Sequence, residues 1–564
     1  MANAVDPNSG FCSKTMMFHS LRPPVPLPPE PAPVSLTDFI FSLFNSSPPS
    51  PTAAAIIDAD TRRRVLYPEL VFRLENLASS LRAQFGLSKG DCALVFSPNN
   101  IYTPILYLSL FSLGVVISPI NPSATVPEIQ HQIRLSKPVI AFASSDSAHK
   151  LPLLKHGIVN IDSVEFESLM ETQRGKKERA VIKVKQSDVA TILYSSGTTG
   201  PVKGVALTHR NWTANIAGGM RPVRTIQTVG YCTVPLFHAY GMVLSLKLMA
   251  SGECLVITGG NRRFDMRKMY SVIEEYRVSQ LALAPPLVVT MAGDAEVMDG
   301  YDLSSLEVVI GGELSYGLTE TTGRVFATLG PDETRTEGAT GKLMGIVKPK
   351  WWILKPGSFG SGALVMKGYV DDEEATIAVL DRGGWLRTGD LCYINNQGYL
   401  FFVDRIQELI KYKGYQDHSS FTFKGIFKKI MVMDWALMEQ VAPAELEHLL
   451  NGQVPVAFVV KQPGNNIDGS EIKDFVAKQV SHYKRIQRVI FIDWLPRNAS
   501  GKVLRKELVI KLSTPTPSCK FLTLFTFLYY IYFYLYPLNL HIKRKICHLY
   551  CCRNLLQYVY LHIV

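Results

Sequence analysis

Short apolar runs alternate with longer helical patterns along most of the chain. Cys92 to Phe96 and Val115 to Pro119 are near-continuous apolar runs, the texture of strands buried on both faces, while Glu69 to Phe85 carries its apolar residues at helical spacing. The same alternation resumes from Val189 to Val309. Strand and helix in regular succession predict an α/β fold built on largely parallel sheets. Upstream, Arg22 to Val34 and Ser46 to Pro51 are proline-rich and predict extended surface chain, with a short amphipathic piece, Leu36 to Phe44, between them. After Asp404-Arg405 the texture changes to a smaller unit, with strand candidates Val456 to Lys461 and Val489 to Ile492 around a helix candidate, Gly469 to Val480. No internal repeat is visible.

Length and composition narrow the class. A chain of 564 residues that is 47% hydrophobic holds two or three domains with sizeable cores and is not disordered by default. The net charge of +11 overstates its basicity, because Lys511, Lys520, Lys543, Arg544, Lys545 and Arg553 all follow the last acidic residue, Glu507; removing those six charges leaves +5. That mild excess suits anionic small molecules. The body has no basic run interleaved with aromatics, so no nucleic-acid partner is expected. Nine cysteines without a C-x-x-C pair point to a reducing compartment and no zinc site. The opening M-A-N-A-V-D-P-N-S-G has neither a basic start nor an apolar stretch, so a cytosolic start is expected rather than a secretory signal.

Tyr194 to Gly204 read Y-S-S-G-T-T-G-P-V-K-G and directly follow the strand candidate Val189 to Tyr194. Ser195, Ser196, Thr198 and Thr199 can donate to phosphate oxygens, Gly197 and Gly200 let backbone N–H groups turn inward, and Lys203 adds a point charge. This is a polyphosphate cradle. It is not a Walker A loop, because Lys203 is followed by Gly204 and the magnesium-binding hydroxyl of that motif is missing.

Further short motifs follow in a fixed order: Tyr316-Gly317-Leu318-Thr319-Glu320, Thr388-Gly389-Asp390, Asp404-Arg405, Lys411-Tyr412-Lys413-Gly414-Tyr415-Gln416 and Gly501-Lys502. Each alone is weak, but the ordered set resembles the adenylate-forming superfamily, and within it the plant 4-coumarate–CoA ligases and their ligase-like relatives. The resemblance runs from about the first proline-rich segment to Lys511. It implies a large N-terminal α/β domain of several subdomains and a small mobile α+β C-terminal domain. The expected organisation is 1–50 as a proline-rich segment, 51–403 as the adenylation domain, 404–511 as the C-terminal domain with an irregular insertion at 417–440, and 512–564 as an atypical tail.

The resemblance also implies ATP, magnesium and coenzyme A, and a carboxylic acid of hydroxycinnamate, fatty or jasmonate type. Glu320 would help hold magnesium, a hard ion that takes carboxylate and phosphate oxygens, and Thr319 would meet the α-phosphate. Tyr316, Asp390, Arg405 and Gln416 would contact the nucleotide, Asp390 through the ribose hydroxyls. His238, Tyr240 and Gly312 would line the acid and adenylate pocket, with His238 as a catalytic residue that gates or orients the acyl group. Lys502 would serve adenylation as an electrostatic group in a water-poor cleft, and Lys411 thioester formation. Arg263, Lys413 and Gly414 would contact coenzyme A. Opposite roles on one small domain imply a swing about Arg405-Ile406-Gln407, where relatives commonly carry lysine or aspartate in place of Gln407.

Four larger departures accompany the match. Gly311-Gly312-Glu313 runs almost directly into Tyr316, where relatives insert a helix and a strand that line the acid pocket. Gly341 to Gly368 is short, and Asp417 to Gln440 separates Gln416 from Val441-Ala442-Pro443-Ala444-Glu445. The tail from Thr514 has no counterpart. Its Phe521 to Ile542 stretch is uncharged, aromatic-rich and near the spanning length of about 20 residues, followed by Lys543-Arg544-Lys545 and interrupted by Pro537. A membrane tail anchor and translated non-coding sequence both fit it. The chain ends in Leu-His-Ile-Val rather than the Ser-Lys-Leu address of many relatives, so a cytoplasmic or peroxisomal location stays open.

Overall fold

Cys92–Phe96 is buried at all five positions and forms an interior strand of a seven-stranded sheet. The computed structural model describes residues 5–171, 182–195, 202–219, 227–259, 264–284, 287–288, 291, 295–311, 315–329, 333, 336, 338–345, 358–359, 362–405, 456–459, 468–477 and 488–492. From one edge the strands run Gly368–Tyr369, Lys203–Thr208, Val189–Ser195, Val116–Pro119, Cys92–Phe96, Ile140–Ala143 and Ile158–Asn160. The last five are mutually parallel, while Lys203–Thr208 is antiparallel to both its neighbours. A six-stranded sheet runs Val308–Ile310, Gln280–Ala282, Val229–Cys232, Cys254–Ile257, Ala54–Asp58 and Arg64–Leu66, parallel except at its last pair. The predicted parallel α/β fold is present.

Helices cover these sheets. Tyr102–Leu113 is buried at ten of its twelve residues, which is why its sequence is apolar all round rather than amphipathic. The helix expected from Glu69 begins two residues earlier, at Tyr67, because Pro68 fits the first turn, where its missing N–H is not needed. The amphipathic piece is a helix, Leu36–Ser46, started by a reciprocal Ser35–Asp38 capping box.

The proline-rich segment ahead of it lies on the surface and is tied down. Val25 donates to the Gly345 carbonyl at 2.9 Å, and Arg22 reaches the Ala327 carbonyl at 2.6 Å and Glu333 at 2.7 Å. Gln186 donates to the carbonyl of Pro29 at 2.6 Å. Prolines donate no N–H, but their carbonyls remain acceptors, so the segment docks through them.

The described residues divide into two compact units on either side of the Asp404–Arg405 bond. In the second, Val456–Val459 and Arg488–Phe491 pair in parallel and the helix Gly469–Ala477 lies between them in sequence. A Cβ at Gly469 would sit 3.3 Å from that of Val489, so the helix start and its strand approach closely. Among the described residues no helix is long and apolar enough to cross a membrane. The insertion 417–440 and the tail with Phe521 to Ile542 lie outside them.

Candidate active site

Ser195 and Lys203 face each other as register partners across an antiparallel pair, so both ends of the intervening loop arrive at one point. The strand end is fixed from below by Tyr194, whose hydroxyl donates to the Gln132 carbonyl at 3.0 Å and lies 2.6 Å from Ser118 Oγ. On the other side His131 Nε2 is 2.8 Å from the Val202 carbonyl. The remaining expected cradle residues, Ser196, Gly197, Thr198, Thr199 and Gly200, lie outside the described residues.

Lys203 and Glu320 meet at a third side chain. Lys203 Nζ stands 4.8 Å over the ring of Tyr369, and the Tyr369 hydroxyl donates to Glu320 Oε1 at 2.9 Å. Cation on the ring face and anion at the hydroxyl are the two favourable positions around a phenol. Burial, then the Glu320 charge, pushes the Tyr369 pKa well up, so it remains a donor. Thr319 and Glu320 form a single 3-10 turn, Thr319–Thr321, which ends at Thr322 in the left-handed region (φ 57°). Gly317 in the preceding strand has no alternative, since a Cβ there would lie 1.9 Å from the Gly323 carbonyl oxygen.

One helix holds this turn and the loop beside it. Asn215 donates to the Thr322 carbonyl at 2.9 Å, and Asn211, one turn earlier on the same face, donates to the carbonyls of Ala363 and Val365 at 2.8 and 2.9 Å. Both belong to His209–Gly218, which follows the strand Lys203–Thr208 without a break.

Tyr316 and Asp390 form a second focus. The Tyr316 hydroxyl donates to Asp390 Oδ2 at 2.7 Å, and Asp390 is 1% exposed. Asp390 N–H donates to Thr388 Oγ1 at 3.1 Å, a compact turn made with Gly389 at φ 74°. Arg405 ends the strand Leu400–Arg405, which pairs with Asp390–Ile394.

His238 caps the helix Ala239–Ala250: its Nδ1 accepts from the Tyr240 N–H at 3.3 Å, which leaves the ring proton on Nε2. Its surface is open to solvent although protein atoms crowd around it, and that crowding lowers its pKa. The solvent-facing side weakens the effect, but the direction favours a neutral imidazole at pH 7. Tyr240 points its hydroxyl at the Ile310 carbonyl, 2.7 Å away, at the end of the strand before Gly311.

Among the expected site residues, then, Lys203 and Glu320 meet through Tyr369, with Ser195 the register partner of Lys203 and Thr319 next to Glu320 in its turn; Tyr316 pairs with Asp390, and His238 and Tyr240 share one helix start. Arg263, Gly312, Lys411, Lys413, Gly414, Gln416 and Lys502 lie outside the described residues. Tyr369 and His131 are additions that no sequence motif marks. A magnesium ion held mainly by phosphate oxygens and water needs one or two carboxylates, and Glu320, which meets Lys203 at Tyr369, fits that need. Among the described residues no cluster of three or more His, Cys, Asp and Glu forms a metal cage.

A family model described as AMP-binding enzyme matches residues 44–315, and one described as AMP-binding enzyme C-terminal domain matches residues 439–502. 4-Coumarate–CoA ligase-like 5 of Oryza sativa subsp. japonica is 40% identical over 560 aligned residues, covering 90% of this chain and 95% of that one. Peroxisomal OPC-8:0-CoA ligase 1 of Arabidopsis thaliana is 38% identical, across 91% of this chain and 99% of that one. A double mutant of o-succinylbenzoate CoA synthetase from Bacillus subtilis, bound with a product analogue, shares the fold at a TM-score of 0.60 and 23% identity, over 83% of this chain and 97% of that one. The fold and the two family models define an AMP-binding, adenylate-forming enzyme. Within that class the chain belongs to the 4-coumarate–CoA ligase-like family.

Proposed function

We propose that the chain is an ATP-dependent acid–thiol ligase with two half-reactions. A carboxylate attacks the α-phosphate of ATP, giving an acyl-adenylate and pyrophosphate; the coenzyme A thiol then attacks the acyl carbon and releases AMP. The observation that carries this reading is the meeting of Lys203 and Glu320 at Tyr369, a phosphate-binding cation and a metal-binding carboxylate on one side chain. Magnesium, when bound through Glu320, neutralises phosphate charge.

Ser195 to Gly200 with Lys203 cradle the phosphates, and Thr319 meets the α-phosphate. Asp390 and Arg405 take the ribose, and Tyr316 and Gln416 the rest of the adenylate. His238, Tyr240 and Gly312 shape the acid pocket. Lys502 serves adenylation and Lys411 thioester formation, with Arg263, Lys413 and Gly414 on coenzyme A. Residues 51–403 are the adenylation domain and 404–511 the domain that alternates between the steps. The acid is a hydroxycinnamate, fatty or jasmonate-type acid and the location cytosolic or peroxisomal; the words 4-coumarate, OPC-8:0 and peroxisomal in the relatives' names support this reading.

A second reading is a nucleotide-binding relative without turnover. It is favoured by the short passage between the strands Val308–Ile310 and Ser315–Leu318, where the family carries pocket-lining structure. Acid-dependent exchange of pyrophosphate into ATP, followed by coenzyme A-dependent release of AMP, tests both: turnover supports the ligase, and ATP binding without exchange supports the alternative.

A further inference from the structure

The strip Met366 to Val370 is bonded to both halves of the ATP site. Met366 N–H donates to the carbonyl of Glu320 at 2.8 Å, Lys367 N–H to that of Ala206 at 2.9 Å, and Val370 N–H to that of Gly204 at 2.8 Å. It thus splints the metal-binding turn to the phosphate strand. Tyr369 sits within this strip as the register partner of Val205, two residues along from Lys203, so its ring lies diagonally beneath the lysine. Its own backbone is held from behind, its N–H donating to Thr376 Oγ1 at 2.9 Å. A side chain at Gly368 before it would be strained: its φ is 154° and a Cβ would lie 3.0 Å from Thr376 Cγ2.

We infer that Tyr369 is a positioning residue of the ATP site, its phenol fixing the Glu320 carboxylate for magnesium while its ring keeps Lys203 beside the same site. A carboxylate has two oxygens. Holding Oε1 in one place removes rotamer freedom that metal binding would otherwise have to remove, so magnesium binds an already oriented ligand. The ring acts separately. It gives Lys203 a favourable resting position near the phosphates before they arrive, without neutralising it as a direct carboxylate contact would. Hydroxyl and ring therefore serve different ligands, magnesium and phosphate, and can be separated by substitution.

The inference rests on the ATP-site reading, and the test separates the two. ATP binding to the full-length protein is measured by calorimetry over a series of free magnesium concentrations, with an EDTA arm for metal-free ATP. Tyr369→Phe keeps the ring, so it binds ATP in EDTA like the wild type but needs about tenfold or more magnesium to gain the same tightening. Tyr369→Leu loses the ring too and also weakens ATP in EDTA. Glu320→Gln abolishes the magnesium-dependent gain, and adding Tyr369→Phe to it changes nothing further. Wild-type magnesium dependence in Tyr369→Phe overturns the inference, as does an equal loss with and without magnesium, which is the mark of a merely structural role. A wild type that binds no ATP overturns the ATP-site reading itself; one that binds it beside an indifferent Tyr369→Phe overturns this inference alone.

Discussion

The phenol of Tyr316 donates to Oδ2 of Asp390 at 2.7 Å across 74 residues of chain. Asp390 is nearly sealed from solvent, so that donor helps offset the burial of a carboxylate. Tyr316→Phe should lower stability by about 1–3 kcal/mol in urea unfolding, since a buried acceptor loses a partner. AMP affinity should fall less, because ribose hydroxyls can donate to the same oxygen, whereas Asp390→Ala should lose AMP. A collapse of AMP binding at unchanged stability would make the phenol a direct nucleotide contact instead.

Removal of the cradle's charge is expected to act on ATP itself. Lys203→Ala, or Thr198 and Thr199 together changed to Ala, should weaken ATP use by about 1.5–3 kcal/mol each, the worth of hydrogen bonds to charged groups. KM for ATP in the exchange assay is the measurement. Unchanged ATP dependence in a folded variant would remove the cradle assignment.

His209 makes acid stability testable. It is fully buried, its Nδ1 accepts from the Leu36 N–H at 3.1 Å, and it meets Phe111 edge-on. Burial lowers its pKa from 6.5 to about 4, with Asp188 opposing and Lys89 adding to the shift. Between those values the unfolded chain binds a proton that the folded protein refuses, so its contribution is complete above pH 6.5 and is lost as pH falls toward 4. The loss is on the order of 3 kcal/mol. Urea midpoints between pH 7 and 4.5 should fall more steeply for the wild type than for His209→Asn. Parallel curves would show that the imidazole does not carry the effect.

The two lysines of the small domain should fail at different steps. Lys502→Ala should lose pyrophosphate exchange yet convert supplied acyl-adenylate and coenzyme A into thioester, and Lys411→Ala should do the reverse. Each loss should reach about 10²–10³-fold, the effect of removing one preorganised charge-stabilising group. Deleting 417–440 should strengthen thioester formation, because that insertion follows the Lys411 to Gln416 segment directly. Loss of the same half-reaction in both lysine variants would contradict the alternation.

Much of the fold is legible where one residue run meets one environment. Cys92–Phe96 is apolar throughout because both its faces are covered, and Tyr102–Leu113 is apolar all round because it is buried on every side. The proposed phosphate cradle is legible for a similar reason, since its residues are local in sequence. What could not be read is chemistry assembled by register. Tyr369 reaches Lys203 only because Gly368–Tyr369 pairs with Lys203–Thr208, more than 150 residues away, and Asn211 and Asn215 look like ordinary helix residues until Thr322 and Val365 lie beside them. Nothing in a run of Asn and Ala distinguishes a brace from a solvated face.

The central claim is acyl-adenylate formation, and isotope exchange between pyrophosphate and ATP tests it most directly. The account predicts exchange that requires a carboxylic acid and magnesium, does not require coenzyme A, and needs more ATP in Lys203→Ala. Exchange that proceeds without any acid, or ATP binding with no exchange across hydroxycinnamates, fatty acids and jasmonate-type acids, would contradict it.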